Sequence, residues 1–285
     1  MDFFKQHLSQ SDFKRLSQFI YDHSGIKMPM SKLGMVEARI RKRLVKLNNV
    51  ATFSDYCNYL FSPKGKEKEL SFFINAITTN KTDFFREPSH FEYLIQKAIP
   101  DLMTKKGMGI NKQLSLWSAA ASRGNEAYTI AIVLNEFSKK FPGLNFNFFI
   151  LATDISTEVL EAARVGIYKH EELDPVPIDI RKKYFLKSKD RKKDLVRVIP
   201  ELRKMVKFRH LNLADEFSLR EPMDIIFCRN VLIYFSKETQ NKVIYKLCQN
   251  LKPGGFLFLG HSEVIDCQYF PLISSAPAVY KKVAT

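Results

Sequence analysis

Apolar residues in the first part of the chain recur at helical spacing. Leu33, Val36, Ile40, Leu44 and Leu47 follow one another at intervals of 3, 4, 4 and 3, one apolar stripe along a helix. Arg39, Lys42, Arg43 and Lys46 form a second stripe on the same helix, with no acidic residue interleaved. Such a stripe is either the solvated face of an amphipathic helix or a docking surface for an acidic one. The missing acids tilt the reading toward docking. Ser62-Pro63-Lys64-Gly65 marks a loop, and a further helix runs from Glu67 to about Ile77. Residues 1–77 are therefore expected to form a small all-helical domain, and 78–92 a linker to the remainder of the chain.

Beyond the linker the pattern changes to alternation. Gln113–Ser118, Phe146–Thr153, Val206–Asn212, Met223–Cys228 and Phe256–Gly260 are short apolar runs of strand length. Between them, Asn125–Lys139, Ser156–Arg164 and Ser236–Leu251 carry the helical period, the last two opening on a serine cap. Alternation of this kind implies an α/β fold, a doubly wound Rossmann-like sheet over 93–285. One segment breaks it. Residues 166–205 are far longer than the usual connection of ~4–6 residues, and they contain extended stretches such as Leu195–Ile199. They are expected to form an inserted small β subdomain.

Composition narrows the class. With 45% hydrophobic and 13% aromatic residues, the 285-residue chain can bury a substantial core. No apolar run approaches the ~18–20 residues that span a bilayer, and the opening MDFFKQHLSQSDF is too charged for a signal peptide. Cys57, Cys228, Cys248 and Cys267 form no CxxC pair and build no metal framework with the histidines. Reduced thiols, a cytoplasmic location, no membrane insertion and no metal are the expectation. The net charge of +15 is uneven. Arg181 to Arg209 holds 13 basic against 3 acidic residues, and Met1 to Asn75 holds 13 against 7, so the body between is near neutral. An acidic partner should meet those two regions. Nucleic acid is not expected, because the basic segment has few aromatics for stacking.

The candidate chemistry sits at strand ends. LWSAAASRGNEAYTIAIVL leaves a strand, passes Ala119, Ala120, Ala121 and Gly124, and enters a helix. Small residues let a ligand approach the backbone, yet the dinucleotide fingerprint with its three glycines is missing. Glu126 at the helix start would repel a pyrophosphate and suit a cationic or amino-bearing ligand; it would equally serve as a first-turn helix acid. Asp154 closes the ILATD strand, where an acid suits ribose hydroxyls or a helix N-terminus. Asn212 in HLNL could read an adenine edge with help from a nearby backbone amide. Arg229, Asn230 and Tyr234 follow the buried strand of DIIFCRNVLIYF.

TTNKTDFFREPSHF, WSAAASRGNEAYTIAI, LATDIS, FCRNVLIYF and LKPGGFLFLGHSE, in that order, strongly resemble the CheR-type chemotaxis protein-glutamate O-methyltransferases. The resemblance covers most of the chain. It implies S-adenosylmethionine as methyl donor, S-adenosylhomocysteine as product, and glutamate side chains of methyl-accepting chemoreceptor cytoplasmic helices as acceptors. It also implies a cofactor pocket made by Asn80, Thr82, Arg86, Ala119, Glu126, Asp154, Asn212, Leu213, Arg229 and Asn230. Glu126 would face the amino end of the methionine moiety and Asp154 the ribose. Arg86 is implied as the catalytic arginine, with Tyr234 near the transferred methyl group. Two departures stand out. Arg123-Gly124-Asn125-Glu126-Ala127 replaces the Thr-Gly-Glu-Glu-Pro common among relatives, with Asn125 expected to cap the helix. Ser188 to Asp194 lacks the glycine-rich turn with which some relatives grip a receptor tail. A methyltransferase for another acidic target and a cofactor-sensing interaction protein stand as alternatives, and a dehydrogenase fits least.

Overall fold

The computed structural model describes residues 7–47, 50–110, 112–143, 145–190 and 192–283. The first six residues of the opening stretch, and Arg191 of the basic segment, lie outside the described residues. Among the described residues, four α-helices form the N-terminal domain: α1 (Gln10–Ser24), α2 (Leu33–Leu44), α3 (Phe53–Phe61) and α4 (Pro63–Ile77). Val36, Ile40 and Leu44 of the predicted stripe are buried there with Phe13, Leu16, Tyr56, Leu60 and Phe73, a core separate from the rest. The expected loop at Ser62–Gly65 is instead the start of α4. Ser62 caps it by accepting from Gly65 N–H, and Pro63 takes the first turn, where no N–H is needed. Gly65 permits close packing, since a Cβ there would lie 1.8 Å from the Tyr59 carbonyl oxygen.

The linker ends in α5 (Pro88–Tyr93), followed by a π-helical stretch (Leu94–Ala98) and α6 (Ile99–Lys106). The main sheet then begins with β1 (Leu114–Ala119), α7 (Asn125–Lys140), β2 (Phe148–Asp154) and α8 (Thr157–Val165). The insertion continues the chain as β3 (Ile167–Lys169), α9 (Ile178–Tyr184), β4 (Phe185–Lys187), β5 (Leu195–Val198) and α10 (Pro200–Met205). The chain returns through β6 (Val206–His210), β7 (Met223–Cys228), α11 (Lys237–Gln249), β8 (Leu251–Leu259), β9 (Leu272–Ala276) and β10 (Val279–Lys282). The doubly wound sheet is present, with strand order β6-β2-β1-β7-β8-β10-β9, and the insertion forms its own antiparallel sheet, β3-β5-β4.

β1, β2, β6, β7 and β8 are mutually parallel, while β9 and β10 add an antiparallel edge that short-range patterning did not reveal. Apolar cores cover both faces of the sheet, one around Ile130, Ile150, Tyr128 and Phe227, the other around Trp117, Ile226, Val243 and Leu257. Strand order reverses between β1 and β7, so their carboxyl ends splay apart and leave a crevice. Among the described residues, no helix is long and apolar enough to cross a membrane.

Candidate cofactor and acceptor site

The crevice is a cleft of about 1270 Å³, its open mouth included. Its floor is the turn after β1. Ala120 and Ser122 adopt left-handed conformations there, with φ of 61° and 49°, and Gly124 at 87° leads into α7. Such backbone is costly for residues with a side chain. Asp154 holds it in place: one carboxylate oxygen accepts Ser122 N–H at 2.8 Å and the other accepts Ser156 N–H at 2.9 Å. Burial raises the Asp154 pKa, and these backbone donors partly offset the rise. Glu126, in the first turn of α7, accepts from Ser118 Oγ at 2.6 Å and faces Arg229 Nη1 at 3.5 Å. Its pKa is also raised by burial, with Arg229 the main opposing influence. Two acids withdrawn from solvent in one cleft fit a ligand that brings a cationic amino group and paired hydroxyls.

The linker forms the front wall. Phe84 is fully buried, its ring edge-on to Tyr168 at 4.9 Å and to Phe185 at 5.3 Å, which ties the linker to the insertion. Phe85 and Glu87 both take positive φ, 53° and 57°, and between them Arg86 projects exposed at the cleft mouth. Glu87, a residue sequence reasoning missed, lies 3.2 Å from Arg229 Nη2 and accepts from Asn230 Nδ2 at 3.2 Å. Arg229 also donates to the Arg86 carbonyl and sits over the Phe91 ring. Its guanidinium is therefore a buried tie between floor and linker.

Glu263, from the LGHSE motif, was missed as well. Its buried carboxylate accepts from the N–H groups of Asn230, Leu232 and Gly260, each at 2.7 Å, and so fixes the strained turn at Asn230 (φ 58°). Gly260 is needed for this close approach, since a Cβ would lie 2.5 Å from Asn230 Nδ2. The EPSHF motif carried a signal for Glu87, an acid immediately after Arg86. Glu87, His90 and His261 also offer possible metal-ligating atoms within 4.8 Å of one another. Because Arg229 already answers the Glu87 charge, the cluster reads as the arginine's surroundings. The His90 ring is kept neutral, with burial and then Arg229 pulling its pKa down to about 4.

The N-terminal domain roofs the cleft. The segment after α1 pairs Ile26 with Phe235, and Lys27 N–H donates to the Tyr234 carbonyl at 2.8 Å. Asn80, Thr82, Arg86, Glu126, Asp154, Asn212, Leu213, Arg229, Asn230 and Tyr234 all line the cleft. Ala119 does not: it is the buried last residue of β1, and Ala120 takes the lining position. Asn212 lines the cleft with its side chain already engaged, donating to His23 O at 2.8 Å and Asp215 Oδ1 at 2.9 Å and accepting from Ala214 N–H at 3.0 Å. It ties the roof to the loop after β6 and is not a free reader of an adenine edge. Lys246 fixes that loop from below, its ammonium donating to the Leu213, Ala214 and Asp215 carbonyls.

Two other expectations are corrected. Asn125 does not cap α7; Gly124 holds the cap position, and the Asn125 side chain is buried without a hydrogen-bond partner among the described residues. Arg123 turns away from the cleft, pairing with Glu172 at 2.9 Å and stacking over Tyr168, so it fastens the loop to the insertion. Two of the four bases of the α2 stripe are engaged within the fold. Arg39 donates to the Ile77 and Thr78 carbonyls at the end of α4, and Arg43 forms a bidentate pair with buried Glu69 at 2.6 and 2.7 Å. Those partners come from a different helix, so interleaving within α2 could not show them. Lys42 and Lys46 stay exposed, Lys46 in the turn beyond the helix.

Residues 11–78 match the family described as CheR methyltransferase, all-alpha domain, and residues 80–278 match CheR methyltransferase, SAM binding domain. The chain is 43% identical over 258 residues to the chemotaxis protein methyltransferase of Klebsiella aerogenes, covering 90% of this chain and 84% of that protein. It is 42% identical over 257 residues to that of Escherichia coli, covering 90% and 85%. With the Borreliella burgdorferi protein of the same description it shares 37% identity over 281 residues, covering 97% and 95%.

Proposed function

The chain belongs to the CheR methyltransferase family, S-adenosylmethionine-dependent methyltransferases, and on that footing we propose that its acceptors are glutamate side-chain carboxylates of chemoreceptor cytoplasmic helices, the products being methyl esters that serve chemotactic adaptation. The observation that carries this reading is the opposition of charge across the cleft. Glu126 and Asp154 lie withdrawn at the floor, while Arg86 stands exposed at the mouth with no ion pair among the described residues. A cationic cofactor suits the first and an anionic acceptor the second.

When bound, S-adenosylmethionine supplies an electrophilic methyl group on a sulfonium. Glu126 would face its amino group and Asp154 its ribose, with Ala120 leaving the backbone open to close approach. A glutamate carboxylate, with an ordinary pKa near ~4.3, is already ionised at neutral pH, so the transfer calls for no general base. What the protein must add is approach geometry and removal of water from a weak nucleophile. Arg86, gripped between two left-handed residues, orients the incoming carboxylate; Tyr234, held through its backbone by Lys27, lines the same cleft and helps position the reacting groups. Arg86→Ala should lower turnover on a receptor fragment by about 100-fold or more, with S-adenosylhomocysteine affinity changed by less than about threefold. Steady-state kinetics and calorimetry separate the two, and equal losses in both would remove Arg86 from the acceptor side.

A further inference from the structure

The rim of the cleft carries more positive charge than one acceptor carboxylate can answer. Lys27, Lys32 and Lys81 line it beside Arg86, all four exposed, and none has an ion-pair partner among the described residues. Asp83 is the one exposed acid among the lining residues. The lysines come from separate places. Lys27 follows α1 and is pinned beside Tyr234 by its backbone, Lys32 precedes α2, and Lys81 lies in the linker. Lys27 also lines a second, open groove of about 960 Å³, its open mouth included, along α1. That groove has Phe13, Met28 and Met30 as apolar lining and Lys14 as a further cation, and no acidic residue lines it. Cleft and groove thus meet at Lys27 and Met28.

An amphipathic helix with an acidic face matches this surface. Its apolar side fits the groove, and the acidic side turns toward the rim. On a helix the neighbours of a target residue on the same face lie three and four positions away, ~5–6 Å between Cβ atoms. We infer that Lys27, Lys32 and Lys81 recognise acidic side chains flanking the target glutamate on the acceptor helix, while Arg86 takes the target itself. The inference rests on the glutamate-acceptor reading and adds the residues that select among glutamates. It also moves the selecting surface away from the α2 stripe, where Arg39 and Arg43 are already bound within the fold.

Helical peptides of one sequence test it, with the target glutamate constant and the residues three and four positions away either Glu or Gln. The readout is the ratio of kcat/KM for the Glu-flanked over the Gln-flanked peptide, at saturating cofactor and low salt. The natural protein should prefer acidic flanks on the order of tenfold, as expected for a few exposed charge pairs. In the triple variant Lys27→Gln, Lys32→Gln, Lys81→Gln the ratio should fall to about 2 or below. The double variant Lys42→Gln, Lys46→Gln should keep the ratio of the natural protein. A ratio unchanged in the triple variant, or lost only in the α2 variant, overturns the inference. If no peptide is methylated although the cofactor binds, the acceptor reading fails first and takes this inference with it.

Discussion

The floor and the rim of the cleft are built on opposite principles. On the floor, Asp154, Glu263 and Arg229 are buried and Glu126 nearly so, and each is tied by named hydrogen bonds or ion pairs to backbone or to one another. On the rim, Lys27, Lys32, Lys81 and Arg86 are exposed and free of ion pairs among the described residues. Left-handed non-glycine backbone follows the same division: Phe85, Glu87, Ala120, Ser122 and Asn230 carry it at the floor and front wall, with Ala278 the one further case among the described residues. A cofactor that is identical in every turnover rewards a rigid, pre-formed floor. A rim that must accept different glutamates in different surroundings is better served by long, adaptable cations.

If the floor is a single electrostatic unit, its largest response should come from removing its one cation. Arg229→Met leaves Glu87 and Glu126 facing each other without compensation and should cost about 3–5 kcal/mol of stability. Urea unfolding measures it, and a loss under about 1 kcal/mol would mean that the floor is not coupled in this way. Asp154→Asn comes next. An amide can accept only one of the two backbone donors and must turn its NH2 toward the N–H of Ser122 or Ser156. Calorimetry should show cofactor affinity falling by about 10- to 100-fold, the scale of a lost hydrogen bond to a charged group.

The buried surroundings of Arg229 respond to pH. His90 is held near a pKa of about 4 in the folded protein, against 6.5 when unfolded. Below the unfolded value the unfolded chain takes up a proton that the folded chain refuses, so stability falls as pH drops from about 6.5 toward 4. Between pH 7 and pH 5 the natural protein should lose about 2 kcal/mol more than His90→Phe. Parallel curves for the two proteins would show that His90 is not buried as described. The rim should give the smallest effect: raising ionic strength should weaken acceptor binding several-fold and change cofactor affinity by less than about twofold. The reverse pattern would exchange the roles assigned to rim and floor.

Much of this was legible in the sequence because it rests on local pattern. Strand and helix periods located the sheet, and residues directly after buried strands proved to line the cleft, as Asp154, Arg229 and Asn230 do. What could not be read depends on partners distant in sequence. Arg39 and Arg43 looked unpaired because the groups that hold them, the Ile77 carbonyl and Glu69, lie 38 and 26 residues away. Asn212 looked free to read a ligand because the His23 carbonyl that takes its amide is 189 residues distant. Glu87 and Glu263 gave no periodic signal, since each acts by gathering backbone or arginine donors around a turn. The Ser-Pro-Lys-Gly stretch misled for another reason: serine cap, proline first turn and buried glycine are also the ingredients of a tightly packed helix start.

The most direct test is chemical. The protein would be incubated with S-adenosylmethionine and a chemoreceptor cytoplasmic fragment, and the product mapped by fragmentation mass spectrometry before and after mild alkali. The account predicts single methyl additions on glutamate side chains, removed by alkali as esters are. An alkali-stable methyl group on a lysine or any other nitrogen would contradict it.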